Sequence, residues 1–254
     1  MSTTLAFLGE FGDAFEFIFT SRESRAGGAQ IGGKENLPLL WEHLKLTGAA
    51  MGLAIAIALP LGLFLGHTGR ASFLAISASN VGRAVPSVAL IALFVAFLPE
   101  TSAFTNVTIA LALLAIPPIL TNTYVGVQQV SRDAVDASRG MGMSAGQIVR
   151  SVELPLALPL VFGGIKTSTV NVVATATIAP LVGVLTLGDP IISGTVYGRA
   201  GQIGASIMVA ALAVAAEVGL SAVQRAVTPT GVKLERGAPA PRIGTLKRRI
   251  QTVP

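Results

Sequence analysis

Charged side chains are scarce in this sequence. Asp, Glu, Lys and Arg together make up 12% of its 254 residues, whereas a soluble domain carries roughly a quarter. A helix needs about 20 apolar residues to cross the hydrocarbon core of a bilayer. Runs without any charged residue cover 46–66, 84–99, 101–131, 167–188 and 200–216. The lack of charge therefore excludes a water-soluble protein and indicates a chain that crosses the membrane several times.

Cysteine is absent, and histidine is limited to His43 and His67. The missing cysteine excludes disulfides and thiolate metal sites. The two histidines lie at opposite ends of one apolar run, so they cannot join in a catalytic triad or a metal cluster. A G-x-x-x-x-G-K-[ST] phosphate loop is also missing. We expect this chain to have no enzymatic activity, no cofactor and no metal site.

The apolar runs are rich in Ala, Leu, Ile and Val, and segments of this kind satisfy their backbone hydrogen bonds in the bilayer as helices. We expect an all-α polytopic membrane protein with about five transmembrane helices. Their predicted ranges are 44–66, 73–98, 107–127, 155–177 and 203–223. The stretch 179–198 is interrupted by prolines and glycines, so it forms either a re-entrant sixth segment or a surface segment.

The N-terminal region is apolar in places but carries acidic residues. Phe7, Phe11 and Phe15 recur every four residues with acids between them, a pattern typical of an amphipathic helix in the membrane interface. A loosely ordered tail stays open as the alternative. The glycine-rich stretch 21–36 predicts a flexible connector.

The domains and their orientation follow from the position of the basic residues. We expect an N-terminal segment and linker over 1–36, a transmembrane domain over 37–232 and a basic tail over 233–254. From Arg225 onward the sequence has seven basic residues and one acidic residue, Glu235. Such an excess of positive charge next to a span is typical of a cytoplasmic end. With five spans the N-terminus then lies outside. Because the positive charge is concentrated next to a membrane span, we expect a lipid surface and no nucleic acid as its partner.

A polar island interrupts the apolar runs at 133–159. Residues at helical spacing form a stripe of small or flexible side chains, namely Ala134, Ala137, Met141 and Ala145. Gly140, Gly142 and Gly146 predict a tight turn between two short helices. The island is too polar to span the membrane, so it indicates a structured surface loop that another protein's backbone can approach closely.

This island resembles the EAA loop of ATP-binding cassette importer permeases, written E-A-A-x3-G-x9-I-x-L-P. The matching positions are Asp136, Ala137, Ser138, Gly142, Val152, Leu154 and Pro155. Asp136 stands for the Glu, Ser138 for the second Ala and Val152 for the Ile. The resemblance implies that 132–155 is a coupling loop seated in a groove of a cytoplasmic ATPase.

Five further segments resemble permeases of osmoprotectant importers, which carry glycine betaine, choline or carnitine. They are NVGRAVPSVA (80–89), TNTYVG (121–126), GIKTST (164–169), LGD (187–189) and VTPTG (227–231). The resemblance covers about 37–232. It implies a type I importer permease fold in the cell membrane of a prokaryote. It also implies three kinds of partner: a second permease subunit, identical or not, two ATPase subunits and an extracytoplasmic solute-binding protein.

Two departures from that pattern leave the exact substrate open. Val184-Leu185-Thr186 stands where relatives tend to have a glycine run, and Arg83-Ala84 stands where they often have Gln-Thr. A permease for amino acids such as methionine, with the same loop and a five-span core, is the first alternative. An ion-coupled secondary transporter is the second, although such proteins are built from internal repeats and the sequence shows none.

Charges inside the predicted spans are few and therefore informative. The candidate pathway or gate residues are Asn80, Arg83, Pro86, Ser87, Lys166 and Glu217. Intramembrane charges usually face a partner or a wet cavity. The three charges either line the solute path or snorkel and pair structurally. We expect Glu217 to pair with Lys166 or Arg83.

Overall fold

The computed structural model describes residues 2–69 and 86–229, with side chains from residue 9 onward. The described chain is helical except for one small hairpin. Its helices are α1 (Ser2–Phe19), α2 (Asn36–Thr68), α3 (Ser87–Phe97), α4 (Ala103–Gln128), α5 (Arg132–Gly140), α6 (Ala145–Ile148), α7 (Leu154–Thr175), α8 (Asp189–Ile192) and α9 (Gly194–Val227). The hairpin pairs β1 (Ser21–Glu23) with β2 (Gln30–Gly32). The predicted all-α architecture is confirmed.

Within the described ranges, four helical segments are long and apolar enough to cross a membrane: Gly33–Thr68, Ala103–Gln128, Ala145–Val182 and Gly194–Val227. They correspond to the first, third, fourth and last predicted spans. The second predicted span lies partly outside the described residues, and its described part is the short apolar helix α3.

Helix α4 lies at the centre of the bundle and packs against α2, α3 and α7. Small residues allow these helices to approach closely, as is usual inside membranes. A Cβ atom at Gly62 of α2 would lie 2.6 Å from the Cβ of Thr123 on α4. A Cβ at Gly164 of α7 would lie 2.7 Å from the carbonyl oxygen of Pro118. Ser168 adds a buried interhelical bond, because its Oγ donates to the Ala115 carbonyl at 2.8 Å.

Helix α1 packs across the first turns of α9. Ala14 and Phe17 are fully buried there, and Phe17 fits against Gly201 and Gly204, where a Cβ at Gly204 would lie 2.8 Å from its ring. Phe15, a member of the predicted apolar stripe, is instead 54% exposed. Phe15 therefore lies on the outer face of α1, and the interfacial position of this helix stays a prediction.

The stretch 21–36 is folded, so the prediction of a flexible connector is wrong. Its strands pair in register from Ser21 with Gly32 to Glu23 with Gln30. The glycines at the turn and at the end of β2 adopt positive φ, at 80° for Gly27 and 78° for Gly32. Glycine content here reflects turn geometry that other residues disfavour, and it does not reflect a loose chain.

The irregular stretch after α7 does not form a sixth span. It consists of a 3₁₀ helix (Ala176–Val182), a turn and the short helix α8. Thr186 holds the turn against the preceding helix, since its Oγ1 donates to the Ala176 carbonyl at 2.9 Å. The stretch joins the end of α7 to the start of α9, two helices that pack side by side. It therefore connects neighbouring helix ends on one side of the bundle.

Candidate coupling site

The polar island forms two short helices at one end of the bundle, between α4 and α7. Helix α5 ends at Gly140 and α6 begins at Ala145. Gly142 lies in the turn with φ of 82°, and its N–H donates to the Arg139 carbonyl at 2.9 Å. The predicted tight turn between two short helices is confirmed.

A capping box fixes the start of α6. The Oγ of Ser144 accepts from the N–H of Gln147 at 3.4 Å, and the Oε1 of Gln147 accepts from the N–H of Ser144 at 2.8 Å. This reciprocal pair satisfies two helix-end donors. The turn is thus held on both sides of Gly142 by its own hydrogen bonds.

The two helices have a buried face and an outer face. Val135 and Ile148 pack with Val130 into a small apolar cluster under the loop, and Ser138 is buried beside them. On the outer face Ala137 is exposed and Met141 is 75% exposed. The predicted stripe of small residues therefore points away from the protein.

The polar members of the EAA match differ in their surroundings. Asp136 is exposed and accepts from Arg139 at 3.4 Å, within one helix turn. An exposed pair of this kind contributes little to stability, roughly 0.2–1 kcal/mol. Ser138 is 4% exposed, and its Oγ donates to the Ala134 carbonyl at 2.7 Å. Asp136 is thus available to a partner, whereas Ser138 supports the loop from inside.

The end of the match leads directly into a membrane span. Residues Val149–Glu153 form a π-helical turn that continues into α7. Val152 packs against the apolar cluster under the loop, and Leu154 and Pro155 begin α7 directly after the π turn. The loop and α7 are therefore one continuous piece of backbone.

The structure also shows a residue pair that the sequence did not indicate. Glu153 is 4% exposed, and both of its carboxylate oxygens lie within hydrogen-bond distance of His67 Nδ1, at 3.0 and 2.9 Å. The two residues are 86 positions apart. Glu153 occupies the variable position between the Val and the Leu of the motif. The only feature of the sequence that pointed to a role for Glu153 was its position beside an otherwise apolar run.

The pathway candidates are not gathered into one cluster by the described residues. Asn80 and Arg83 lie outside the described ranges. Lys166 donates from Nζ to Ser221 Oγ at 3.3 Å. Glu217 lies on an exposed face of α9, and among residues 9–69 and 86–229 no ion pair joins it to Lys166.

The predicted pairing of Glu217 with Lys166 is therefore wrong in this conformation, because Lys166 bonds to Ser221, one helical turn further along α9. Pro86 and Ser87 mark the start of α3, where Pro86 has an extended backbone that precedes the helix. The start of a helix is thus a structural reason for a Pro-Ser pair at this place, and a role of the two residues in the solute path stays a prediction.

The described chain is thus a bundle of apolar helices, four of them long enough to cross a membrane, with a structured, outward-facing loop at one end. The chain belongs to the family of binding-protein-dependent transport system inner membrane components, whose sequence model matches residues 58–230. It is therefore a multi-pass inner-membrane permease subunit of an ABC importer. This membership excludes the secondary-transporter alternative.

Similar sequences support the predicted subfamily of osmoprotectant permeases. The chain is 34% identical over 205 residues to the glycine betaine/carnitine/choline transport system permease protein OpuCB of Bacillus subtilis, covering 80% of this chain and 94% of that one. It is 34% identical over 208 residues to the carnitine transport permease protein OpuCB of Listeria monocytogenes, covering 82% and 94%. The osmoprotectant import permease protein OsmW of Salmonella typhimurium is 30% identical over 199 residues, with 77% and 93% covered.

Solved structures support the predicted fold. The inward-facing methionine ABC transporter MetNI matches with a TM-score of 0.67 at 22% identity, covering 76% of this chain and 96% of that one. A second crystal form of it matches with a TM-score of 0.61 at 25% identity, covering 74% and 94%. The predicted type I importer fold and the resemblance to osmoprotectant permeases are both confirmed.

Proposed function

We propose that this chain forms part of the solute path of an ATP-driven importer for glycine betaine, choline or carnitine. A second permease subunit completes the path, and an extracytoplasmic binding protein delivers the solute. A cytoplasmic ATPase docks on the loop 132–155 and supplies the energy. The observation that carries the proposal is the outward-facing loop on a bundle whose named relatives transport these solutes.

The outer face of the loop supports the docking of a partner. Met141 is 75% exposed at the tip, and Ala137 and Ala145 are exposed beside it. A contiguous apolar surface outside the bilayer is typical of an interaction site. Small side chains let a partner's backbone come close, and the exposed Asp136 supplies a charge at the rim.

The continuity of the backbone supports transmission of movement from the loop to the membrane. Helix α6 continues through the π turn Val149–Glu153 into α7. Helix α7 in turn packs tightly on α4 around Gly164. A partner that tilts the loop would therefore tilt α7 as a rigid lever, which is the shear and hinge type of motion seen in switching proteins.

Selection of the solute is assigned to the binding protein. A quaternary ammonium group binds to the faces of aromatic rings. Tyr124 of α4 is only 9% exposed, so its ring offers little open surface within this chain, and Phe94 of α3 is half-buried against the core cluster. A path with few aromatic contacts lets a solute pass that another subunit has chosen.

The test is solute uptake by the complete transporter in proteoliposomes, with ATP inside and the binding protein outside. We expect ATP-dependent accumulation of at least one of glycine betaine, choline and carnitine, at ten times the methionine rate or more. Methionine is the matched control because the solved neighbours transport it. Methionine uptake without uptake of the three quaternary ammonium solutes would make the chain an amino-acid permease.

Orientation is a separate prediction. We expect the N-terminus outside and the C-terminus in the cytoplasm, because basic residues accumulate on the cytoplasmic side. A single cysteine replaces Thr4 or Thr245 in this cysteine-free chain, and intact cells are treated with an impermeant thiol reagent. The Thr4→Cys variant should be labelled in intact cells and the Thr245→Cys variant only after permeabilisation. The opposite pattern would reverse the topology.

A further inference from the structure

Four elements meet behind the coupling loop. The end of α2, the end of α4, helix α5 and the π turn surround a small cavity of about 20 Å³, room for roughly one water molecule. His67, Gln128, Arg132, Arg139 and Glu153 line it. Polar side chains from distant parts of the sequence thus converge where the loop joins the membrane bundle.

Within this cavity the side chain of Glu153 faces His67. An ionised carboxylate can only accept hydrogen bonds, so the ring donates to ionised Glu153 from Nδ1, which is 2.9 Å from the nearer oxygen. The Glu153 side chain is 5% exposed and the His67 side chain 16%. Removing one member of such a pair leaves a buried polar group without its partner, which costs more than the bond itself contributes. The pair therefore holds the end of α2 to the base of the loop.

The π turn sets the direction of this contact. The N–H of Leu154 donates to the Val149 carbonyl, five residues back. A π turn inserts an extra residue, so the helix after it is rotated relative to the helix before it by roughly 100°. Such turns are rare and often occur at functional sites. Here the turn lets Ile148 pack under the loop while Glu153 faces α2.

A second bond makes the end of α2 part of the same unit. The Nε2 of Gln128 donates to the Gly66 carbonyl at 2.5 Å, which ties the last turn of α2 to the end of α4. Helix α2 does not follow the loop in sequence, so its movement with the loop depends on contacts between the helices. His67 and Glu153 provide the direct polar contact between them.

We infer that His67 and Glu153 are positioning residues that couple the movement of the loop 132–155 to α2. The inference rests on the proposed function, since it concerns how ATP-driven movement of the loop reaches the spans. With the pair intact, α2 and α7 move together. Without it, the loop still moves α7 through the backbone, while α2 lags, and ATP is hydrolysed with less solute transported.

The experiment measures the amount of solute imported per ATP hydrolysed in proteoliposomes. His67→Leu should lower this ratio at least five-fold while ATPase activity persists. Thr68→Val is the matched control, because Thr68 is exposed and its Oγ1 donates to the Phe64 carbonyl of its own helix at 2.9 Å. Its ratio should equal that of the wild type. An unchanged ratio in His67→Leu overturns the inference.

Two more conservative substitutions of His67 test the inference if the His67→Leu variant does not assemble. The amide nitrogen of Asn lies near the position of Nδ1, and that of Gln lies near the position of Nε2. His67→Asn should keep the ratio within two-fold of the wild type, whereas His67→Gln should lower it. Equal ratios for the two variants contradict a bond through Nδ1. Absence of uptake by the wild type would count against the proposed function itself and is distinguishable from these results.

Discussion

Replacing Gly142 by leucine is expected to lower ATP-dependent transport at least ten-fold while the protein still inserts into the membrane. Gly142 has a φ of 82°, and a side chain in this left-handed region costs roughly 1–2 kcal/mol. Among the residues that the structure describes, no atom beyond its two chain neighbours lies within 4 Å of a Cβ placed there. The space around this Cβ is open within the described part of the subunit, so we expect the bulk of leucine to act at the surface that we propose binds the ATPase.

The series Gly142→Ala, Gly142→Asn and Gly142→Leu separates backbone strain from bulk. Asparagine tolerates the left-handed conformation and should keep most of the transport, and alanine should cause a moderate loss. Gly140→Ala is the control, since Gly140 lies within α5 and also has no atom within 4 Å of its Cβ position. Uptake is measured in proteoliposomes that contain equal amounts of each variant. Equal transport by Gly142→Leu and the wild type would contradict a role of this turn in coupling.

Replacing Gly164 by leucine is expected to prevent the bundle from folding stably. A Cβ at Gly164 would lie 2.7 Å from the Pro118 carbonyl oxygen and 3.1 Å from the Cα of Ile119. These are backbone atoms of α4, which cannot rotate away as a side chain can. Overpacking of a core typically costs roughly 1–3 kcal/mol of stability, and occasionally more. Here it would separate α7 from α4.

Thermal unfolding in detergent measures this effect. The midpoint for Gly164→Leu should fall by about 10 °C or more, if any folded protein is recovered at all. Gly163→Ala is the matched control, because the nearest atom to a Cβ at Gly163 is the Asn122 Oδ1 at 3.9 Å. Its midpoint should match that of the wild type. A midpoint for Gly164→Leu close to the wild type would show that α7 and α4 do not pack as described.

The sequence predicted the features that depend on composition and local pattern. Charge-free runs place α4 and α7 within four residues at each end, whereas α2 and α9 begin eight and nine residues before the predicted spans. The agreement arises because the bilayer requires apolar length whatever the neighbouring helices are. The turn at Gly142 was predictable because the spacing of glycines and of polar residues is local. The exposed position of Ala137 and Met141 followed from the same helical spacing.

Features that depend on contacts between distant residues could not be predicted in this way. The bond between His67 and Glu153 joins residues 86 positions apart, and no local pattern relates them. Glu217 and Ser221 are one helical turn apart on α9, and the packing of that helix against α7, which brings Ser221 to Lys166, is not visible in the sequence. The hairpin over 21–32 was missed because glycine content alone does not distinguish a tight turn from a flexible connector.

The central claim is that energy enters this subunit through the loop 132–155, and cross-linking to the ATPase tests it most directly. A cysteine replaces Met141 at the loop tip or Leu37 at the start of α2. Leu37 is 62% exposed, and about 45 Å of helix separates it from His67 at the other end of α2. The assembled transporter is treated with a short thiol-to-amine cross-linker. We expect a product with the ATPase subunit for Met141→Cys and none for Leu37→Cys. A product at Leu37, or none at Met141 in a transporter that still imports solute, would contradict the account.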